Sequence, residues 1–167
     1  MQKVHRPLDK WRDVVFGGIA LLIVIADQLS KIWIRANLEV GETLFDIGFF
    51  RIVYVQNTGA AFGIFKGHSV TLGIVSSIGI IIILLLVFIY RKRWIVLDRL
   101  TVRIALGLIL GGTIGNLIDR LFIGFVTDFI DFKVWPVWNV ADNAAVVGEI
   151  ILAVFIIYML VRAKSKT

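Results

Sequence analysis

One run of 21 residues, Val70 to Tyr90, contains no charged side chain and constrains the fold more than any other feature. A transmembrane helix needs about 20 mostly apolar residues to cross a hydrocarbon core about 30 Å thick. Hydrophobic residues make up 59% of the chain and the mean hydropathy is +0.91. Soluble domains contain about 45–50% apolar residues, so we expect a small integral membrane protein.

Three further stretches qualify as membrane spans, although each includes polar residues. In the first, the uninterrupted apolar run from Val14 to Ala26 is too short, so the helix must continue past Asp27. No small-x-small cleavage site follows this run, so we expect a retained span rather than a cleaved signal peptide. The expected fold is mainly α, with one domain over residues 1–167 and four transmembrane helices at about 14–36, 70–90, 104–120 and 140–161.

The basic residues predict the orientation of these spans. Twelve of the eighteen Lys and Arg residues lie in the N-terminal segment, between spans two and three, or in the C-terminal segment. Cytoplasmic loops of membrane proteins carry an excess of Lys and Arg, so both termini are expected to be cytoplasmic. The net charge of +6 is therefore attributed to membrane topology, and we expect no nucleic acid partner.

Two segments, residues 37–67 and 121–139, then lie on the extracytoplasmic side. The first contains a β-prone run, Arg51 to Gln56, that ends at Asn57-Thr-Gly59. The second is rich in phenylalanine and tryptophan, which concentrate where a membrane meets water. We expect both segments to lie on or in the outer interface.

Polar residues from five separate stretches fall at one depth, near the outer face. Charges inside a bilayer cost a few kcal/mol each, so they are usually paired and functional. The i,i+4 spacing of Asp27 and Lys31 predicts an ion pair, and Asp119 is expected to pair with Arg120. Snorkelling or helix capping is the alternative, and it accounts well for Arg35. The polar set is Asp27, Lys31, Asn57, Asn116, Asp119, Arg120, Asp128, Asn139 and Asp142.

Two features inside the spans carry separate expectations. Gly107, Gly111 and Gly115 recur every four residues, and this spacing favours a smooth stripe where another helix packs closely. Glu149 lies seven residues after Asp142, hence on a similar helix face and about 10 Å deeper. We expect Glu149 to be buried, either protonated or hydrogen-bonded, with tuning of the site as a minor option.

The composition leaves little chemistry open. The chain has no cysteine, which excludes disulfides, thiol nucleophiles and iron–sulfur clusters. Neither His5 nor His68 has a serine and an acid arranged around it, and Gly111-Gly-Thr-Ile-Gly lacks the lysine and the spacing of a phosphate loop. Paired carboxylates remain, since two nearby aspartates can share a proton while one of them activates water.

Elimination indicates which aspartates could form such a pair. Asp27 and Asp119 have adjacent cations, whereas Asp128 and Asp142 do not. These last two are the best candidates, and Asp131 is a spare that suits a solvated or capping role better. Two other functions stay open from the residues alone: a proton- or ion-coupled transporter that uses Glu149 in a relay, and a non-catalytic assembly factor.

Five sequence stretches, in order, resemble the signal peptidase II family of bacterial lipoprotein signal peptidases. Each stretch is a weak signal alone, and the five together are highly specific. They are Asp27-Gln-Leu-Ser-Lys31, Asn57-Thr-Gly59-Ala-Ala61-Phe62-Gly63, Gly111-Gly-Thr-Ile-Gly115-Asn116-Leu-Ile-Asp119-Arg120, Val126-Thr-Asp128-Phe129 and Asn139-Val-Ala141-Asp142.

The resemblance implies a four-helix aspartic endopeptidase of the bacterial inner membrane with a small extracytoplasmic β-cradle. Its substrate would be a diacylglyceryl-modified prolipoprotein, cut just before the lipidated cysteine. The resemblance also implies a monomer surrounded by membrane lipids, without a metal or organic cofactor. The family's catalytic aspartates match Asp128 and Asp142, and its other site positions match Asp27, Lys31, Asn57, Gly59, Asn116, Asp119, Arg120, Asn139 and Ala141.

Overall fold

The computed structural model describes residues 10–59, 67–90 and 93–165. This part of the chain contains four helices long and apolar enough to cross a membrane, which confirms the predicted four-span fold. Residues 60–63 of the second family-like stretch lie outside the described residues, as do Lys3, Arg6, Arg91, Lys92 and Lys166 of the orientation argument. The helices are α1 (Lys10–Asn37), α2 (Ser69–Phe88), α3 (Leu100–Phe122) and α4 (Val140–Lys164).

Helix α3 is the central element and packs against the other three helices. A Cβ atom on Gly107 would lie 2.9 Å from the carbonyl oxygen of Phe16, and one on Gly111 would lie 2.8 Å from that of Ala20. Such contacts with backbone leave no room for a side chain, so α1 approaches α3 along these glycines. The predicted close packing at the glycine stripe is confirmed, with α1 as the partner.

A three-stranded antiparallel sheet lies at the end of the helix bundle where α1 and α3 end and α4 begins, with the order β1 (Thr43–Asp46), β2 (Arg51–Asn57), β3 (Val126–Asp131). Strand β2 confirms the β-prone run seen in the sequence. Strand β3 was not predicted individually, because both of its faces are largely buried and its apolar residues do not alternate with polar ones. The register of β2 and β3 places Val55 opposite Asp128.

An apolar cluster fixes this sheet on the helices. It joins Ile34 and Leu38, at the end of α1, to Tyr54 of β2 and Phe129 of β3. Side chains on a strand alternate between its two faces, so Phe129 and Asp128 point in opposite directions. Burial of Phe129 against α1 therefore turns Asp128 away from that cluster.

The start of α4 is set by a capping box. The side chain of Asn139 accepts a hydrogen bond from the backbone N–H of Asp142, and the Asp142 carboxylate accepts one from the backbone N–H of Asn139. These two bonds satisfy N–H groups that the first turn of a helix leaves without partners. The same bonds hold the Asp142 side chain in a defined position on the first turn.

Candidate active site

Asp128 and Asp142 line one pocket, of about 440 Å³, between α3, α4 and the segment before α4. Strand β3 supplies Asp128, whose residue is 2% exposed, and the first turn of α4 supplies the half-buried Asp142. The pocket combines these carboxyl groups with amide, guanidinium and apolar side chains. Its remaining lining residues are Asn57, Asn116, Arg120, Val126, Trp135, Pro136, Val137, Trp138, Asn143, Ala145 and Val146.

Three asparagines hold the two carboxyl groups. Asn57 Nδ2 donates to Asp128 Oδ2 at 2.9 Å, and Asn139 Nδ2 donates to Asp128 Oδ1 at 2.7 Å. Asn116 Nδ2 donates to Asp142 Oδ1 at 2.7 Å. Among the described residues, each carboxyl group is thus oriented by neutral donors rather than by a direct ion pair.

The orientation of two of these amides is itself fixed. Lys31 Nζ donates to Asn116 Oδ1 at 2.9 Å, and Asn139 Nδ2 donates to the same oxygen at 3.0 Å. Asn116 must then present its NH₂ group to Asp142. Because Asn139 Oδ1 accepts from the Asp142 backbone N–H at 2.9 Å, Asn139 must present its own NH₂ group to Asp128. An amide flip at either residue would replace these bonds with repulsive contacts.

A buried ion cluster lies directly behind the asparagines. Lys31, fully buried in α1, places Nζ 2.8 Å from Asp27 Oδ2 and 3.4 Å from Asp119 Oδ2. The predicted Asp27–Lys31 pair is confirmed. Asp27 also accepts from the backbone N–H of Ala141 at 2.9 Å, which ties the start of α4 to α1.

The predicted partner of Asp119 was wrong. Its carboxylate lies within 4 Å of Lys31 and Arg35 and accepts from the backbone N–H of Thr127, and it makes no such contact with Arg120. Adjacent residues on a helix point about 100° apart, so a pair at i,i+1 is unfavourable. Arg35, which the sequence suggested was snorkelling or capping, joins the cluster and also donates to Thr127 Oγ1 at 2.9 Å.

Arg120 instead lines the pocket and connects α3 to the end of β2. Its Nη2 atom lies 3.4 Å from the carbonyl oxygen of Gly59, and its Nη1 atom lies 3.4 Å from that of Asn116. Gly59 in turn donates its backbone N–H to Asn57 Oδ1 at 2.9 Å, which orients the Asn57 amide toward Asp128. At the end of β2, Asn57 thus supports Asp128 directly and Gly59 supports it indirectly through Asn57.

Asp131, the spare candidate, lies on the opposite face of β3 from Asp128. Its carboxylate accepts from Arg51 Nε at 2.6 Å and from the backbone N–H of Lys133 at 2.6 Å. Burial alone would raise its pKa, but the hydrogen bonds from Lys133 and Arg51 hold the pKa of Asp131 below its usual value. Asp131 therefore stabilises the sheet and does not reach the pocket.

The environment of Asp128 favours a retained proton. Burial, followed by the negative charge of Asp142, raises the pKa of Asp128 to about 7, although Asn57 and Asn139 act against this shift. Two carboxyl groups that face one site cannot both ionise without a cost. Near neutral pH the pair can therefore hold one proton, as an acid–base pair requires. Among the described residues, no group of three or more acidic or histidine side chains could hold a metal ion.

Glu149 does not belong to this site. Its side chain is exposed on α4 and forms no hydrogen bond or ion pair with any described residue, so the expectation that it is buried was wrong. The neighbouring Gly148 is buried instead, at a position where a Cβ atom would lie 2.7 Å from the carbonyl oxygen of Ala105. Because α4 packs on α3 through Gly148, the adjacent Glu149 side chain lies on the exposed surface of α4.

A four-helix membrane protein with two asparagine-bound aspartates facing one pocket at the end of its bundle has the features of a membrane-embedded aspartic peptidase. Residues 19–159 match the family described as signal peptidase (SPase) II. This chain therefore belongs to the signal peptidase II family and is a multi-pass membrane peptidase. Membership in a peptidase family argues against the two alternatives that the residues left open, a transporter and a non-catalytic assembly factor, as the main activity of this chain.

Curated relatives and solved structures agree with this family. A lipoprotein signal peptidase of Dehalococcoides mccartyi strain CBDB1 is 48% identical over 139 residues, 83% of this chain and 86% of the relative. One of Moorella thermoacetica is 44% identical over 135 residues, 80% of this chain and 87% of the relative. A bacterial membrane enzyme solved by the in meso method at 2.3 Å resolution superposes with a TM-score of 0.75 at 31% identity, covering 89% of each chain.

Proposed function

We propose that Asp128 and Asp142 are the catalytic pair with which this peptidase removes the signal peptide from diacylglyceryl-modified prolipoproteins. One observation carries the assignment: both carboxyl groups line the same pocket, and each is held by asparagine donors with no direct ion pair to any residue that the structure describes. The other described aspartates at this end of the molecule are engaged elsewhere: Asp27 and Asp119 lie in the buried ion cluster, Asp131 lies on the far face of β3, and Asp46 of β1 forms a surface ion pair with Lys133.

The reaction follows from a pair that holds one proton. The ionised carboxylate takes a proton from a water molecule, whose oxygen attacks the scissile carbonyl carbon, while the protonated partner donates a hydrogen bond to the carbonyl oxygen. The carbon–nitrogen bond then breaks, and the carboxyl group that received the water proton passes it to the leaving amine. The lipidated cysteine becomes the new N-terminus, and the pair returns with one proton.

The surroundings of the pair suit a substrate that stays in the membrane. Apolar residues such as Val126, Val137 and Val146 line the same pocket as the aspartates, so lipid-like and peptide groups can enter together. We propose that both termini are cytoplasmic and that the pocket opens at the extracytoplasmic face. The enzyme would act as a monomer among membrane lipids, without a metal or organic cofactor.

The remaining family positions support the pair. Asn57, Asn116 and Asn139 orient the two carboxyl groups, and we propose that Arg120, which lines the same pocket, contacts the bound peptide backbone. The ion cluster of Asp27, Lys31 and Asp119 fixes α1, α3 and the start of α4 relative to each other, with the buried Ala141 allowing their close approach.

Cleavage of a purified diacylglyceryl-modified prolipoprotein, followed by gel shift, tests the assignment. Asp128→Asn and Asp142→Asn are expected to remain folded and to lose cleavage by at least a thousandfold, since each removes one member of the acid–base pair. Asp131→Asn is the matched control on the same strand and is expected to keep near-normal activity. A folded Asp128→Asn or Asp142→Asn enzyme that still cuts at the wild-type rate would show that the pair is wrongly assigned.

The orientation has its own test, because the natural sequence has no cysteine. A single cysteine introduced at Phe49 or at Ser165 can be labelled in intact cells with a membrane-impermeant maleimide. Labelling is expected at position 49 and not at position 165, both of which are exposed. The reverse pattern would place the pocket on the cytoplasmic side.

A further inference from the structure

Glu149 continues a face of α4 that begins inside the pocket. Asp142, Ala145 and Val146 line the pocket, and Glu149 follows them by seven, four and three residues. Residues at these spacings share one face of a helix. The rise of an α-helix places Glu149 about 10 Å below Asp142, toward the membrane interior.

The carboxyl group of Glu149 is exposed at a depth where we expect lipid, so its hydrogen-bond partner is expected to come from outside the described residues. Lipid tails offer no hydrogen-bond donors or acceptors, and polar side chains at this depth are usually paired. The Glu149 side chain is exposed and forms no hydrogen bond or ion pair with a described residue, and its chain neighbours Gly148 and Ile150 offer no polar side chain. A polar group that enters along the pocket face of α4 would supply that partner.

We propose that Glu149 binds the membrane-embedded part of the signal peptide and selects for a hydroxyl or amide side chain there. This inference rests on the proposed function, since it places the substrate's scissile bond at Asp128 and Asp142. The peptide upstream of that bond must run from the outer face toward the cytoplasm, and the continuity of the pocket with the Glu149 face gives it a path.

The depth of Glu149 predicts which substrate residue it meets. A distance of about 10 Å corresponds to about three residues of extended chain or about seven residues of helix. With the first residues before the cut inside the pocket, the contact falls between about the fourth and the eighth residue upstream of the scissile bond. A serine, threonine or asparagine in this window can hydrogen-bond the carboxyl group.

Cysteine crosslinking tests the placement directly, because the natural chain has no cysteine. Glu149→Cys is combined with Asp128→Asn, so that bound substrate is not cut, and single cysteines are introduced at successive signal-peptide positions. The lipidated cysteine is a thioether and does not react. Val147→Cys is the matched control, because Val147 is exposed at a similar depth but points about 160° away around the helix. The proposal predicts that crosslinking at position 149 is strongest for substrate cysteines between about the fourth and the eighth residue upstream of the scissile bond, and about tenfold stronger there than at position 147. Equal crosslinking at positions 149 and 147, or crosslinking that does not vary along the signal peptide, would overturn the proposal.

Kinetics test the selectivity. We compare substrates that carry serine or leucine at the position that crosslinks most strongly. For the wild-type enzyme, the serine substrate is expected to have a KM about threefold lower with the same kcat, because a typical hydrogen bond inside a membrane changes affinity by about this factor. Glu149→Leu should lose this preference and Glu149→Gln should retain part of it. The same KM ratio in the wild type and in Glu149→Leu would refute the role of Glu149 while cleavage itself upholds the proposed function. Failure of the wild type to cut any lipidated substrate would overturn both.

Discussion

Replacement of Lys31 by methionine tests the ion cluster behind the aspartate pair. Lys31 is fully buried, and its ammonium group contacts Asp27 at 2.8 Å, Asp119 at 3.4 Å and Asn116 at 2.9 Å. Methionine has a similar length and fills the same space, so the change removes charge and hydrogen bonds with little loss of packing. Asp27 would be left with the backbone N–H of Ala141 and the Gln28 amide, and Asp119 with Arg35, the Gln28 amide and the backbone N–H of Thr127.

The expected loss of stability is large. Removal of one partner from a buried ion pair costs about 3–5 kcal/mol, because the remaining charge is left inside without compensation. Arg35 offsets part of this cost at Asp119, so we expect a loss near the lower end of that range. Activity should also fall about tenfold, because Asn116 loses the charged one of the two donors that hold its amide toward Asp142 and keeps only Asn139.

Unfolding in mixed micelles with increasing sodium dodecyl sulfate measures the change in free energy. Lys10→Met is the matched control, because Lys10 begins the same helix and is exposed. It should change the stability by less than about 0.5 kcal/mol, as surface substitutions usually do. The double variant Lys31→Met with Asp27→Asn should recover part of the loss, since it removes the uncompensated charge as well. A Lys31→Met loss no larger than that of Lys10→Met would refute the argument.

Two further predictions concern helix packing and pH. Gly111→Ala should destabilise the protein by about 1–3 kcal/mol, because the added Cβ would lie 2.8 Å from the backbone of α1. Gly17→Ala, which has open space around its Cβ, should instead stabilise the protein by about 0.5–1 kcal/mol. Equal effects of the two variants in an unfolding assay would contradict this prediction. The cleavage rate should fall as pH rises through about 7, because the raised pKa of Asp128 means that the shared proton is lost there; a rate that stays constant from pH 6 to 9 would argue against it.

Much of the fold could be predicted because a membrane simplifies the problem. Backbone groups in lipid must be satisfied within a helix, so long apolar runs indicate helices directly. The observed α2, Ser69–Phe88, departs from the predicted 70–90 by one or two residues at each end. The glycine stripe could also be interpreted, since a repeat every four residues has few purposes in a membrane helix other than close packing.

Strand pairing and cross-chain contacts were harder to predict. Strand β3 carries one catalytic candidate, yet its apolar and aromatic residues look like an interfacial segment until its pairing with β2 is known. Arg35 resembles an ordinary snorkelling residue, and only the fold brings it to Asp119 and Thr127. Glu149 was expected to be buried because its spacing from Asp142 is helical, but spacing gives the face of a helix and not what covers that face.

The position of Lys31 explains how the site can combine rigidity with a shared proton. A cation in direct contact with a carboxylate typically lowers its pKa by about 1–3 units, which would strip the proton from the pair at neutral pH. Lys31 instead forms its ion pairs with Asp27 and Asp119 and reaches Asp142 only through the neutral amide of Asn116. The charge of Lys31 acts to lower the pKa of Asp128, but burial and the charge of Asp142 outweigh it and keep that pKa raised. The asparagines thus connect the rigid ion cluster to the catalytic pair while they keep the ammonium group of Lys31 out of direct contact with either carboxyl group. An aspartic peptidase needs both a fixed geometry of its two carboxyl groups and a proton that they share.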